Sequence, residues 1–160
     1  MTRQSAMRTE MSGAFSPPDI LAAFVELAKA LGHPARVRMV AMLRDGELCV
    51  CQLTSVLGLA GSTVSAHLSD LRRARLVSEQ KRGKWVYYRL SEDESMRRFV
   101  NEVLRLLADD PQLREDARVI QALRAVPVDD LCRAGLDLIA VGVKPLARIT
   151  PKGRNPRHGD

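Results

Sequence analysis

"GSTVSAHLSDLRRARLVSEQKRGKWVYYRL", residues 61–90, decides the fold. Gly61 and Ser62 open a helix, with Ser62 placed to cap it. Val64, Leu68 and Leu71 follow at i, i+4 and i+7, a narrow apolar stripe down one side. Two β-rich runs come next, Leu76 to Gln80 and Trp85 to Leu90, joined by the basic Lys81 to Lys84 with Gly83 supplying the turn. Just upstream, Gln52 to Leu57 reads as a short helix stopped by Gly58. Two short helices across a tight turn, then a hairpin, form a winged helix-turn-helix. The expected fold class is mainly α with a small β-hairpin.

With Val64 facing the core, Ser62, Ser65, Ala66, Ser69 and Arg73 lie on the opposite side of the second helix. Small hydroxyls and one guanidinium let a helix approach a major groove closely and hydrogen-bond base edges or phosphates. Between Gly61 and Leu90 there are seven Lys or Arg and two Asp or Glu, so most of the chain's net charge of +6 sits in this segment. A basic hairpin tip beside a Ser-rich helix fits phosphate contact. The candidate DNA contacts are Ser62, Thr63, Ser65, Ala66, His67, Ser69, Arg73, Lys81, Arg82 and Lys84. The same residues also suit an ordinary solvated face, and His67 suits an internally satisfied helix histidine. A winged domain serving only protein contacts would show no salt-dependent DNA binding.

Working outward, Ile20, Leu21, Phe24, Leu27, Ala28 and Leu31 recur at helical spacing over residues 19–31, and Pro34 opens the next helix. Ser91 and Glu94 have capping-box spacing ahead of a helix over 92–108, with Met96, Phe99, Val100, Val103, Leu104 and Leu107 on its apolar side. These two flanking helices carry more apolar surface than one small domain must bury. They predict a homodimer through the N-terminal and post-wing helices, matched to a near-palindromic double-stranded site. Residues 1–17 read as a flexible arm, 18–110 as the DNA-binding and dimerisation domain, 111–143 as a helical extension and 144–160 as a disordered basic tail. Helix is expected over 112–125, while 128–143 is ambiguous.

The chain has 160 residues, 46% of them hydrophobic and 28% charged, enough for one domain with its own core. Three cysteines make no disulfide framework, no apolar run suits a signal peptide or a membrane span, and a cytoplasmic protein is expected. A cysteine enzyme would need a base, and only His33, His67 and His158 are available; no phosphate-binding glycine loop or paired-acid constellation appears, so a non-enzyme is expected.

"LGHPARVRMV" (31–40), "GELCVCQL" (46–53), "STVSAHLSDLRRARLV" (62–77) and "KRGKWVYYRL" (81–90) together resemble the ArsR/SmtB family of metal-responsive winged-helix repressors. With the flanking helices, the likeness covers about residues 18–108. It implies a dimeric repressor that leaves its operator when cysteine thiolates take trivalent arsenic or antimony, or a soft divalent ion, with no cofactor required. The chain departs from the arsenic-sensing pattern Cys-Val-Cys-Asp-Leu-Cys at Gln52 and Thr54, and from the family's usual Gly at Arg75. Either a non-Gly residue sits in a left-handed cap, at a penalty of about 1 kcal/mol, or the turn is built differently.

"ELCVC", Glu47 to Cys51, then needs a third sulfur from elsewhere, because Thr54 stands at the local position. Cys132 is the remaining cysteine, so the expected metal site is Cys49, Cys51 and Cys132, with Cys132 from the same chain or its partner. Cys49 and Cys51 would point apart if both were helical, since i and i+2 lie about 200° apart, so gathering them onto one ion would untwist the first turn of the helix. The rival readings are a thiol redox or persulfide sensor joining Cys132 to Cys49 or Cys51, and a cadmium or lead sensor.

Overall fold

A computed structural model of the chain describes residues 19–146. Seven helices and three strands occur among them. In chain order they are α1 (Asp19–Leu31), α2 (Pro34–Met42), β1 (Leu48–Cys49), α3 (Val50–Leu57), α4 (Gly61–Arg73), β2 (Val77–Arg82), β3 (Trp85–Leu90), α5 (Glu94–Leu106), α6 (Pro111–Leu123) and α7 (Val128–Arg133). The expected arm, 1–17, and nearly all of the expected tail lie outside the described residues. No helix among the described residues is long and apolar enough to cross a membrane.

The winged helix-turn-helix is present. α3 and α4 pack together, and Val64, Leu68 and Leu71 have no solvent exposure, as their spacing requires. β2 and β3 pair antiparallel from Val77↔Leu90 to Arg82↔Trp85, and Gly83 takes φ 60° at the tip. The hairpin is not alone. Leu48 and Cys49 pair antiparallel with Tyr88 and Tyr87 of β3, giving a three-stranded sheet in the order β1-β3-β2. A two-residue strand has no pattern of its own; it exists because β3 offers it a hydrogen-bonding edge.

Two expected caps are corrected. Ala60, not Ser62, is the N-cap of α4; it caps with no side chain, and Ser62 lies within the exposed first turn. Asp93, not Ser91, caps α5: its carboxylate accepts from the Met96 amide at 2.9 Å, while the Ser91 hydroxyl accepts from the Asp93 amide at 3.3 Å. Asp110 caps α6 the same way, accepting from the Leu113 amide, with Pro111 in the first turn. Of the two options open at Arg75, the left-handed cap is the one found, with φ 57°. The Leu76 amide donates to the Leu71 carbonyl and the Arg75 amide to the Arg72 carbonyl, the paired bonds of a Schellman end.

The extension is part of the same body. Val119, Ile120 and Leu123 of α6, Leu131 of α7 and Val143 join the core that holds Met39, Leu53, Leu57 and Leu68. α6 lies on α2 and α3, and α7 lies on α3. One ion pair pins this arrangement. The Arg38 guanidinium donates to both carboxylate oxygens of Asp116, at 2.7 and 2.8 Å, and Gln112 donates to the same carboxylate at 2.9 Å. Asp116 is 1% exposed, so its charge is tolerable only because these donors surround it. The ambiguous stretch 128–143 is one short helix followed by turns.

Candidate nucleic-acid interface and thiol site

α4 offers the expected outward face. Ser62, Ser65, Ala66, Ser69 and Arg73 are exposed on the side away from the buried stripe, and Thr63 is exposed on the other flank. Lys81, Arg82 and Lys84 are exposed at the hairpin tip. Arg73 pairs with Asp70, one turn back on its own helix.

His67 sits differently. It is half-buried, its ring centroid 4.4 Å from that of His33, and its Nδ1 is 3.3 Å from an Arg36 guanidinium nitrogen. Burial, then His33, then Arg36 push its pKa below the ordinary 6.5, with Asp70 opposing. Arg36 also donates to Asp70 at 3.1 Å and to the carbonyls of Ala30 and, at 3.0 Å, Lys29. This side chain ties α1, α2 and α4 together. Sequence reasoning missed it, because its partners lie six to thirty-four positions away.

The hairpin cations are anchored off the hairpin. Arg82 makes a two-pronged pair with Glu47, one prong at 2.8 Å, and lies over the Tyr87 ring. Lys84 Nζ is 2.7 Å from Asp129 Oδ1 in the first turn of α7 and lies over the Trp85 ring. Neither Glu47 nor Asp129 carried a sequence signal for this. Behind the sheet, the Tyr88 hydroxyl donates to Glu79 at 2.7 Å; burial, then that bond, push the phenol up to about 12.

The thiols come from three elements. Cys49 ends β1 and is the N-cap of α3, in an extended conformation with φ −71° and ψ 147°, and it is buried. Its amide donates to the Gln52 side-chain oxygen at 2.9 Å. Gln52, the departure from the usual Asp, therefore secures the start of α3 by reaching back. Cys51 lies in the first turn, and Cys132, 81 positions on, brings its Sγ to 3.0 Å from Cys51 Sγ. Burial first, then the Cys132 and Cys49 sulfurs, raise the Cys51 pKa well above the usual thiol range. Cys49 is extended rather than helical, so the condition under which the two thiols would point apart is not met. Among the described residues, no three His, Cys, Asp or Glu side chains stand gathered as a ready ion site. Two sulfurs, those of Cys51 and Cys132, meet. Thr54 is buried where a local third sulfur would sit.

The flanking helices leave apolar surface uncovered. Ile20, Leu21 and Phe24 of α1 are each more than half exposed. A groove of ≈ 330 Å³ runs between α1 and α5, lined by Phe24, Leu27, Met96 and Phe99 among others.

The pattern of the family described as "Bacterial regulatory protein, arsR family" matches residues 33–79. The chain is 46% identical over 63 residues to the arsenic resistance transcriptional regulator ArsR1 of Pseudomonas putida, a match covering 39% of this chain and 49% of that protein. It is 31% identical over 118 residues to ArsR2 of the same organism, also an arsenic resistance transcriptional regulator, covering 72% of this chain and 95% of that one. The match thus spans about half the length of the first relative and nearly all of the second. Among solved structures, the homodimeric winged helix-turn-helix DNA-binding domain of Mb0332 from Mycobacterium bovis is 27% identical, with a TM-score of 0.52, over 62% of this chain and 92% of that one.

Proposed function

This chain belongs to the arsR family of bacterial regulatory proteins, and on that premise we propose that it is a homodimeric repressor whose grip on operator DNA is broken when a soft ion is captured by Cys49, Cys51 and Cys132. The family is one of transcriptional regulators, not enzymes. α4 enters the major groove with Ser62, Thr63, Ser65, Ala66, Ser69 and Arg73 outward, and the hairpin's Lys81, Arg82 and Lys84 reach the flanking backbone. His67 acts from behind this face, holding α4 in place with Arg36. A second copy covers the α1–α5 groove.

The observation that carries the sensing half is the contact between Cys51 and Cys132: a residue 81 positions away delivers a second sulfur to the first turn of α3. The inducer we assign is trivalent arsenic or antimony. In neutral water arsenic(III) is the trihydroxide, and each thiol that binds it forms an As–S bond as its proton leaves with a hydroxide as water. This choice over cadmium or lead is supported by the likeness to arsenic resistance regulators at 46% and 31% identity. Drawing Cys49 onto the same centre breaks its extended cap and the Gln52 bond. The distorted α3 then carries Leu53 and Leu57, which support α4, out of register. Ion and DNA therefore bind with negative, reciprocal coupling.

A gel-shift titration tests this, using a duplex from the DNA upstream of the chain's own coding sequence. Arsenite should release the wild type, and Cys49→Ser, Cys51→Ser and Cys132→Ser should hold DNA at arsenite levels that strip the wild type. Normal release of Cys49→Ser or Cys51→Ser would overturn the site. Normal release of Cys132→Ser alone would remove the third ligand.

A second reading rests on the same 3.0 Å contact. A peroxide could take two electrons and two protons from Cys51 and Cys132, leaving a disulfide. Release by peroxide without release by arsenite would select it.

A further inference from the structure

Two of the three cations at the hairpin tip are held by carboxylates, and neither carboxylate belongs to the hairpin. Glu47, which holds Arg82, stands two residues before Cys49. Asp129, which holds Lys84, stands three residues before Cys132 on α7. Positions three apart on a helix share a face, so the sulfur and the carboxylate ride the same side of α7. With only six residues, α7 moves as one piece, and the paired bonds at its end, Leu136 to Leu131 and Gly135 to Cys132, close it off. Each thiol-bearing segment outside α3 therefore carries its own hold on the wing.

We propose that α7 is a clamp through which the thiol site governs the wing: Asp129 competes with DNA phosphate for Lys84, and ion capture at Cys132 sets the competition in favour of Asp129. This rests on the function proposed above and adds a second route beside the α3–α4 contact. The Lys84 and Asp129 side chains are 69% and 54% exposed, so water screens the pair and a phosphate can displace it. Without an ion, α7 is held at this corner by packing and a thiol–thiol contact, and it can yield Lys84 to the duplex. Tying the Cys132 sulfur to the Cys51 sulfur through a shared ion removes that freedom. Lys84 then stays with Asp129, and the complex loses one phosphate contact per wing.

The test compares full-length wild type, Asp129→Asn and Asp130→Asn. Asp130 lies in the same turn but pairs with Arg133 of its own helix, so its substitution removes the same charge without touching the wing. Binding to the fluorescent upstream duplex is measured by anisotropy across a salt series, with and without saturating arsenite. Thermal melting confirms that both variants fold. Asp129→Asn should bind roughly twofold to fivefold tighter at low salt, the scale of an exposed ion pair. Under arsenite its log–log salt slope should be steeper than that of wild type by about 0.9 per wing, and it should keep more DNA than wild type. Asp130→Asn should match wild type in slope and release. If wild type binds and releases normally while Asp129→Asn and Asp130→Asn behave alike, the clamp is wrong and the repressor stands. If wild type shows no salt-dependent binding, the repressor falls and the clamp with it.

Discussion

His67 shows how one side chain on a DNA-reading helix can serve position rather than contact. Its ring faces His33 across 4.4 Å and Arg36 at 3.3 Å, with Asp70 the one acidic neighbour. The folded chain therefore resists protonating it, while the unfolded chain takes the proton near 6.5. Between those two pKa values the unfolded state binds more protons, so stability falls as pH drops through 6.5 and is fully present above it. Urea unfolding at pH 7.5 and 5.5 should show this loss, and His67→Gln should flatten it. Arg75 makes the opposite point about legibility. Its left-handed φ was one of just two options that the missing glycine left open, because backbone sterics are local. The company of His67 was not, since Arg36 and His33 are more than thirty positions away in sequence.

At the scale of elements, periodicity located α1, α2, α4, α5 and α6 because each has an apolar side to bury. β1 and α7 were invisible or ambiguous for a common reason. Two residues and six residues carry too little pattern, and both elements depend on tertiary partners: β3 for the strand, α3 for the helix. The caps at Ser62 and Ser91 were misplaced because Ser, Asp and a bare backbone can each start a helix, and competition between neighbours is settled by the path of the chain. The thiol site was legible as residue types, with Cys132 reached by elimination; that α7 brings it to Cys51 was not. The pairing of α6 with α2 gives a sharper test. Asp116→Ala leaves Arg38, a quarter exposed, without its partner. It should cost about 2–3 kcal/mol, below the full penalty for a buried pair because Arg38 can still reach water. Denaturant midpoints at unchanged m-value would measure it; a change under 1 kcal/mol would mean the helices need no such pin.

At the scale of the whole molecule, the exposed Ile20, Leu21 and Phe24 beside the α1–α5 groove are what a lone copy leaves unfinished. Phe24→Asp should place a charge in that seam, shift the protein from dimer to monomer in analytical ultracentrifugation, and lower DNA affinity at least tenfold while leaving the far-UV spectrum intact. A monomeric wild type would make the face serve something other than a second copy.

The extension has a consequence for how such a switch can fail. Residues 111–143 carry Cys132, the third ligand in the proposed site, but they also supply Val119, Ile120, Leu123 and Leu131 to the interior. Losing that stretch would strip the cover from α2 and α3 together with the detector. A shortened chain would therefore not become a lock that no inducer can open. It would collapse, and on the proposed function the genes would stay on, the safer error for a cell meeting a toxic inducer.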